Sequence, residues 1–345
     1  MANQNQNWGI VPFKKVKEYK YEGIKNYKKT KYKKFIKMCK MTQEKMKVYL
    51  TDVLKSAGYD PIVEDGFIFA EGKNVDVCLT AHMDTVHAEP VIDFYENIKD
   101  GKHIISSPQG IGGDDRCGIY IIYKIITKTD FRPTILFCED EECGGIGSRK
   151  FVETKLSYKL DNMKFLVELD RMNATDAVFY DCYNLDFIDF IETQTGYKDA
   201  WGSFSDICEL SPDCGVASVN LSCGYYNAHT LGEYVVMEEM EHTIEVVKKL
   251  LKKATDENTP MFEYKERTYN RKWYYDDYDD YNYWDSYLVK ANHNANKYVI
   301  LWTDGNDQFE DIFYCKTEME ALGNFFVENP DLCYNDVLSC YEEKL

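Results

Sequence analysis

Four apolar runs in this chain, VDVCLTAH, PTILFC, KFLVELD and VASVNLS, each lead directly into residues able to bind a cation or move a proton. Runs that stay apolar at nearly every position, instead of alternating, belong to strands buried on both faces, which is the texture of a parallel sheet covered by helices. Helical segments separate these runs. The expected fold is therefore α/β, a doubly wound, mainly parallel sheet with helices on both faces. In such sheets functional groups gather where strands end in loops at the carboxyl edge. The first run ends in AHMDT, giving His82 and Asp84; the second leads into CEDEECGG, with Glu141 and Glu142; the third ends at Asp170. After the fourth, CGYYNAHT delivers His229, and the glycine loop GIGGDD supplies Asp114 and Asp115.

The flanking pattern fills in the rest of the unit. Thr42 is placed to cap a helix with Met46, Tyr49, Leu50, Val53 and Leu54 on one face, ended by Gly58. PIVEDGFIFAEG reads as a hairpin turning at Asp65-Gly66. GIYIIYKIIT suits a helix or a strand, and VVMEEMEHTIEVVKKLLKKA is an amphipathic helix that closes the unit. Four divisions follow: a basic N-terminal extension over 1–40, a catalytic domain over 41–258, a Tyr/Asp-rich linker over 259–287, and a small C-terminal α+β module over 288–345. The module reads as ββα, from strands KYVILWTD and QFEDIFYC and a helix around TEMEALGNFFVE.

Composition removes several function classes. A formal charge of -18 argues against nucleic acid as the general partner, although residues 13–40 are strongly basic and are the one exception. No run approaches the roughly 20 apolar residues of a membrane span, and no secretory pattern opens the chain, so a cytoplasmic protein is expected. The 12 cysteines are scattered, several inside apolar runs, which fits reduced core thiols better than a disulfide framework.

Two imidazoles and several carboxylates on one rim make a mixed nitrogen and oxygen donor set, suited to zinc first and to cobalt or manganese as alternatives. Carboxylates packed this closely would repel one another and raise their own pKa values, and two divalent ions would relieve that repulsion. One of the paired glutamates can stay off the metal as a general base. Two ions sharing a water would lower its pKa and polarise a scissile carbonyl while that glutamate moves the proton to a leaving amine, so amide hydrolysis is expected.

Six separated pieces, AHMDT, GGDDRCGI, EECGGIGS, ELD, SFSDI and YYNAHTLGEYV, resemble in order the motifs of the di-zinc metallopeptidases that include the M20, M28 and M42 families. The resemblance implies that His82, Asp114, Glu142, Asp170 and His229 are the metal ligands, with Asp114 bridging. It implies that Asp84 fixes the tautomer of His82 and that Glu141 is the general base. Asp115 becomes a helix-start or neighbouring polar residue, and Asp206 a residue close to the site. The short interval from Asp170 to His229 leaves no room for the M20 lid domain, and that from His82 to Asp114 none for the M42 β-domain, so the unit resembles the compact M28 plan. Without a lid to supply the oxyanion donor, Tyr225 or Tyr226 is the candidate.

Rival readings are weaker. Cys138 and Cys143 lack a second Cys or His pair at the spacing a structural zinc site needs, and the phosphate-loop pattern is missing from GIGGDD. His87, His103, His242 and His293 lie outside the central ligand pattern and read as ordinary surface or core histidines. The expected activity is hydrolysis of a peptide bond by an aminopeptidase or small-peptide hydrolase. The alternatives are an amidohydrolase or deacylase of non-peptide amides, or a non-catalytic binding protein that retains the metal site; the sequence leaves assembly open.

Overall fold

The computed structural model describes residues 30–87, 90–99, 101–267, 296–303, 308–315, 325 and 337–343. Helices α1 (Lys33–Cys39) and α2 (Gln43–Ser56) precede the hairpin β1 (Ile62–Glu64) and β2 (Phe67–Ala70), then β3 (Val75–His82), β4 (Tyr95–Lys99) and β5 (Lys102–Ser106). Next come α3 (Gly113–Lys128), β6 (Pro133–Cys138), α4 (Ile146–Val152), β7 (Phe165–Arg171), β8 (Asp176–Val178), α5 (Leu185–Thr195) and β9 (Lys198–Asp199). The unit finishes with α6 (Ile207–Cys214), β10 (Ser218–Ser222), β11 (Tyr225–Tyr226), β12 (Tyr234–Val236) and α7 (Met237–Ala254). Beyond it lie β13 (Asn296–Thr303), β14 (Gln308–Cys315) and β15 (Val337–Glu343).

The central sheet has eight strands in the order β1-β2-β6-β3-β7-β10-β8-β9. Its middle four, β6, β3, β7 and β10, are the four apolar runs of the sequence and pair in parallel. Successive residues on each strand serve opposite faces, because strand side chains alternate. Thus Val77, Leu79 and Ala81 of β3 join Ile135 and Phe137 of β6 and Phe165, Val167 and Leu169 of β7 in one core with α1, α3 and α7. Cys78, Leu136, Cys138 and Leu166, from the intervening positions, join Phe151 of α4 and Ile207 and Leu210 of α6 in a second core. The ambiguous GIYIIYKIIT segment is therefore helix, as part of α3, buried between sheet and α7.

Local expectations hold in detail. Thr42 accepts the Lys45 N–H at the start of α2, and Gly66 turns the β1–β2 hairpin at φ 96°. A second, antiparallel sheet, β11-β12-β5-β4, was not foreseen; β5 and β12 pair directly, which brings the loops before α3 and before β12 together. Helix α1 lies inside the stretch read as an extension, yet Phe35, Ile36 and Met38 are buried in the main core. The linker assigned from residue 259 begins with packed chain: Phe262 sits in the main core, and Phe262 and Lys164 share a backbone hydrogen bond.

The C-terminal strands form a sheet of their own, β14-β13-β15, all antiparallel. Two of these strands match the expected ββ pair and the third was not read. The helix expected around TEMEALGNFFVE falls almost wholly outside the described residues, as does the basic segment before residue 30. Among described residues no helix is long and apolar enough to cross a membrane. The buried cysteines, Cys78 and Cys138 among them, are free thiols.

Candidate metal centre

His82 is the last residue of β3, and Cys138, its register partner on β6, is followed by the turn that carries Glu141 and Glu142. Asp170 lies near the end of β7, so the adjacent parallel strands deliver these groups to one edge. Asp114 comes from the first turn of α3, where it and Asp115 have non-helical dihedrals and are joined by a cis peptide bond. His229 comes from the loop between β11 and β12 and has φ 62°. That region costs an L-residue about 1–3 kcal/mol and persists only where the surroundings impose it. Here Thr230 Oγ1 donates to the Asn227 carbonyl and Asn227 Nδ2 to that of Gly232, closing the loop on itself.

The five expected ligands converge. Nε2 of His82 lies 2.9 Å from Asp114 Oδ1 and 3.4 Å from Asp170 Oδ1. Nε2 of His229 lies 3.2 Å from Asp114 Oδ2 and 3.1 Å from Glu142 Oε2. Two groups result, His82 with Asp114 and Asp170, and Asp114 with Glu142 and His229; within each, the ligand atoms lie within 4.8 Å of one another. They share one residue, Asp114, which turns a different oxygen to each imidazole. A third grouping, His82 with Glu141 and Glu142, places Glu141 against the same centre. Imidazole nitrogens and carboxylate oxygens brought this close make a mixed donor set of the kind that could hold metal ions.

Burial and neighbouring charges shift the protonation of these groups in opposite directions. Burial pushes the His82 imidazole down, but the carboxylates of Asp170 and Asp84 and the bond to Asp114 outweigh it and hold the ring well above its ordinary value. For His229 burial is likewise outweighed, by Glu142 and Asp114. Burial pushes Glu142 up to about 7, against the pull of His229, and pushes Glu141 well above the usual carboxylate range, with Asp170, Glu142 and Asp206 adding to the rise against His82. Asp114 is also penalised by burial, yet its bonds to His229 and His82 hold it below the ordinary range.

Asp84 does more than orient an imidazole. Its Oδ1 faces His82 Nδ1 at 3.1 Å and accepts the Glu141 N–H, and its Oδ2 accepts the Glu142 N–H, both also at 3.1 Å. It thereby ties His82 on β3 to the Glu141–Glu142 turn. Asp115 stands in the first turn of α3 as a helix-start residue, is fully buried, and accepts the N–H groups of His82 and Gly118. Asp206 is fully buried beside Ser148 and Cys138, and burial pushes it up to about 6. Glu168, on β7, is likewise fully buried, and burial pushes its carboxyl well above the usual range.

Other placements were not legible in sequence. Ser205 Oγ donates to Asp170 Oδ2 at 2.8 Å, and the Asn220 side chain bridges the backbone N–H and C=O of Asp170. Of the two candidate oxyanion donors, Tyr225 donates to the Asp170 carbonyl at 3.1 Å and lies 3.4 Å from Asp170 Oδ1, and Tyr226 donates to Glu239 at 2.6 Å. His87, read as ordinary, is paired with the buried Glu233. Glu139, one residue past β6, is buried and bonded to Lys47 at 2.5 Å, a structural pair at the base of the acidic turn.

No family model matches the chain, and its sequence matches no curated protein. Solved structures do match. Aminopeptidase PepT from Bacillus cereus is similar at a TM-score of 0.52 and 16% identity, over 65% of this chain and 98% of that one. A tripeptidase from Staphylococcus aureus is similar at a TM-score of 0.50 and 13% identity, over 64% and 96%. At these identities the property held in common is architecture: the chain has the fold of these two peptidases.

Proposed function

We propose that the protein is a two-metal hydrolase of peptide bonds, an aminopeptidase or small-peptide hydrolase. The observation that carries this reading is the sharing of Asp114 between two histidine-containing ligand groups, with Glu141 beside them. His82, Asp114 and Asp170 would hold one ion, and Asp114, Glu142 and His229 the other. When bound, such ions polarise a carbonyl and make water acidic enough to attack near neutral pH.

The chain's own groups do the rest. Glu141 belongs to neither of the two groups that share Asp114, and its carboxylate is assigned to take the proton of the attacking water and pass it to the leaving amine. Its buried setting raises its proton affinity toward the range a general base needs. Asp84 fixes the backbone of Glu141 and the ring of His82 together, so base and ligand keep one geometry. The fold shared with two peptidases supports peptide substrates.

The test joins stoichiometry to turnover. Elemental analysis of purified protein should find close to two transition-metal ions, and metal-loaded protein should hydrolyse members of a panel of aminoacyl amides, dipeptides and tripeptides but not N-acyl amides. Glu141→Gln should keep the metal and lose turnover by a factor of about 100 or more, the loss expected when a general base is removed. A chain that binds no metal sinks the site, cleavage confined to N-acyl amides moves the reading to a deacylase, and an active Glu141→Gln protein removes Glu141 as the base.

A further inference from the structure

We infer that Glu233 is a positioning residue that sets the bridging aspartate against the His229 loop, and that His87 locks it in place. Glu233 is fully buried and lies four residues after His229 in the same loop. Its Oε1 accepts the Asp114 N–H at 2.9 Å, and its Oε2 accepts the Gly112 N–H at 2.8 Å. His87 Nε2 lies 2.9 Å from the same Oε2. Since the carboxylate can only accept, this imidazole nitrogen must be the donor. All three donors converge on one side chain that water does not reach.

The consequence for the metal centre is geometric, and it rests on the two-metal reading above. Asp114 presents Oδ1 to His82 and Oδ2 to His229, so its backbone position decides where both oxygens fall. Glu233 holds that backbone from either side of Gly113 while its own loop carries His229. One residue therefore fixes the spacing between a shared ligand and a ligand of the second group. The packing leaves no slack: a side chain at Gly113 would meet Tyr225, Val235 and Glu233 Oε1, and one at Gly110 would run into the His87 ring.

Only a carboxylate satisfies this arrangement. A glutamine offers one acceptor oxygen, so whichever way its amide turns, an NH2 group faces the N–H of Gly112 or of Asp114. A buried donor left facing another donor loses its partner and is repelled as well. At position 87 the requirement is a single donor, which a glutamine side chain can supply from nearly the place of Nε2 and a leucine cannot.

The experiment uses the full chain with zinc as the probe. Amide hydrogen exchange at Gly112 and Asp114 is measured in the metal-free protein, and zinc affinity by competition with a chromophoric chelator. Glu233→Gln should speed exchange at both amides by at least about tenfold and weaken zinc by about 10–100-fold, the range seen when a ligand's supporting partner is lost. On the peptide substrate kcat should fall while KM stays within about twofold. His87→Leu should weaken zinc severalfold, and His87→Gln should recover most of that loss. A folded Glu233→Gln protein with wild-type exchange and wild-type zinc affinity overturns the proposal. Should Glu233→Gln fail to fold, equal zinc affinity in His87→Leu and His87→Gln overturns it instead. Should the wild-type chain bind no zinc, the two-metal reading fails separately, and exchange at Gly112 and Asp114 still decides whether Glu233 holds the loop.

Discussion

Asp84 and the two histidines show how few atoms fix the centre. Asp84 spends both oxygens on three donors, the His82 ring and the N–H groups of Glu141 and Glu142. Asp84→Asn would turn an NH2 toward at least one of those donors, so it should weaken metal binding by about 10–100-fold in a chelator competition, with the folded state retained. A second residue-scale outcome concerns protons. With no ion present His82 and His229 hold their protons well above pH 6.5, because neighbouring carboxylates outweigh burial. A metal must displace those protons, so apparent zinc affinity should climb as pH rises from 6 to 8, with protons released to the buffer on binding. The sign for stability is opposite. A histidine whose folded pKa is raised stabilises the fold fully below its unfolded value and ceases to do so as pH rises through the folded one. Metal-free protein should therefore lose thermal stability above neutral pH, relative to the metal-loaded form; an unchanged gap between the two melting curves from pH 6 to 9 would contradict the proposed exchange of proton for metal.

Elements explain why the edge of the sheet could be read from sequence so closely. The four central strands are apolar at nearly every position because both faces are covered, and that texture marks where each ends, so His82, the Glu141–Glu142 turn and Asp170 could be placed on one rim. The second sheet was not legible, because β4 has half-buried and exposed residues without alternation and β11 is two residues long. Its pairing of β5 with β12 is what brings Glu233 to Gly112, a contact between residues 121 positions apart. Likewise, His87 lies outside the ligand motifs, and only the tertiary contact gives it a role. Helix α3 packs closely on β7 at Gly118. A side chain at Gly118 would strike the Leu169 carbonyl and the Asp115 carboxylate. Gly118→Ala should thus push α3 off β7, cost about 1–3 kcal/mol in a denaturant titration, as overpacking does, and reduce metal affinity by separating Asp114 from Asp170.

At the scale of the whole chain, the change of texture after residue 258 suggested a boundary there, but the contacts place the end of the packed unit later. Phe262 lies among Phe165, Phe187 and Phe190. The Ala217 N–H bonds to the Phe262 carbonyl, Tyr264 N–H to that of Gly215, Tyr183 N–H to that of Lys265, and Arg267 N–H to that of Asp181. A period-based reading misses such a stretch because it makes only isolated bridges to Cys182 and Val216 and never forms a strand with a pattern of its own. Neither large sheet takes a strand from beyond β12 among the described residues. A chain ending at Arg267 should accordingly be soluble, unfold in one cooperative transition and bind the same amount of metal as the full chain. A chain ending at Asn258 strips the cover from the aromatic cluster and leaves the N–H groups of Ala217 and Tyr183 without their partners, so it should melt well below the longer one or fail to fold. Phe262→Ala in the full chain isolates the apolar part of that difference, with an expected loss of about 3–5 kcal/mol for a buried phenylalanine. If the chains ending at Asn258 and Arg267 had equal melting temperatures, the stretch from 259 to 267 would be a tether lying on the unit and no part of its core.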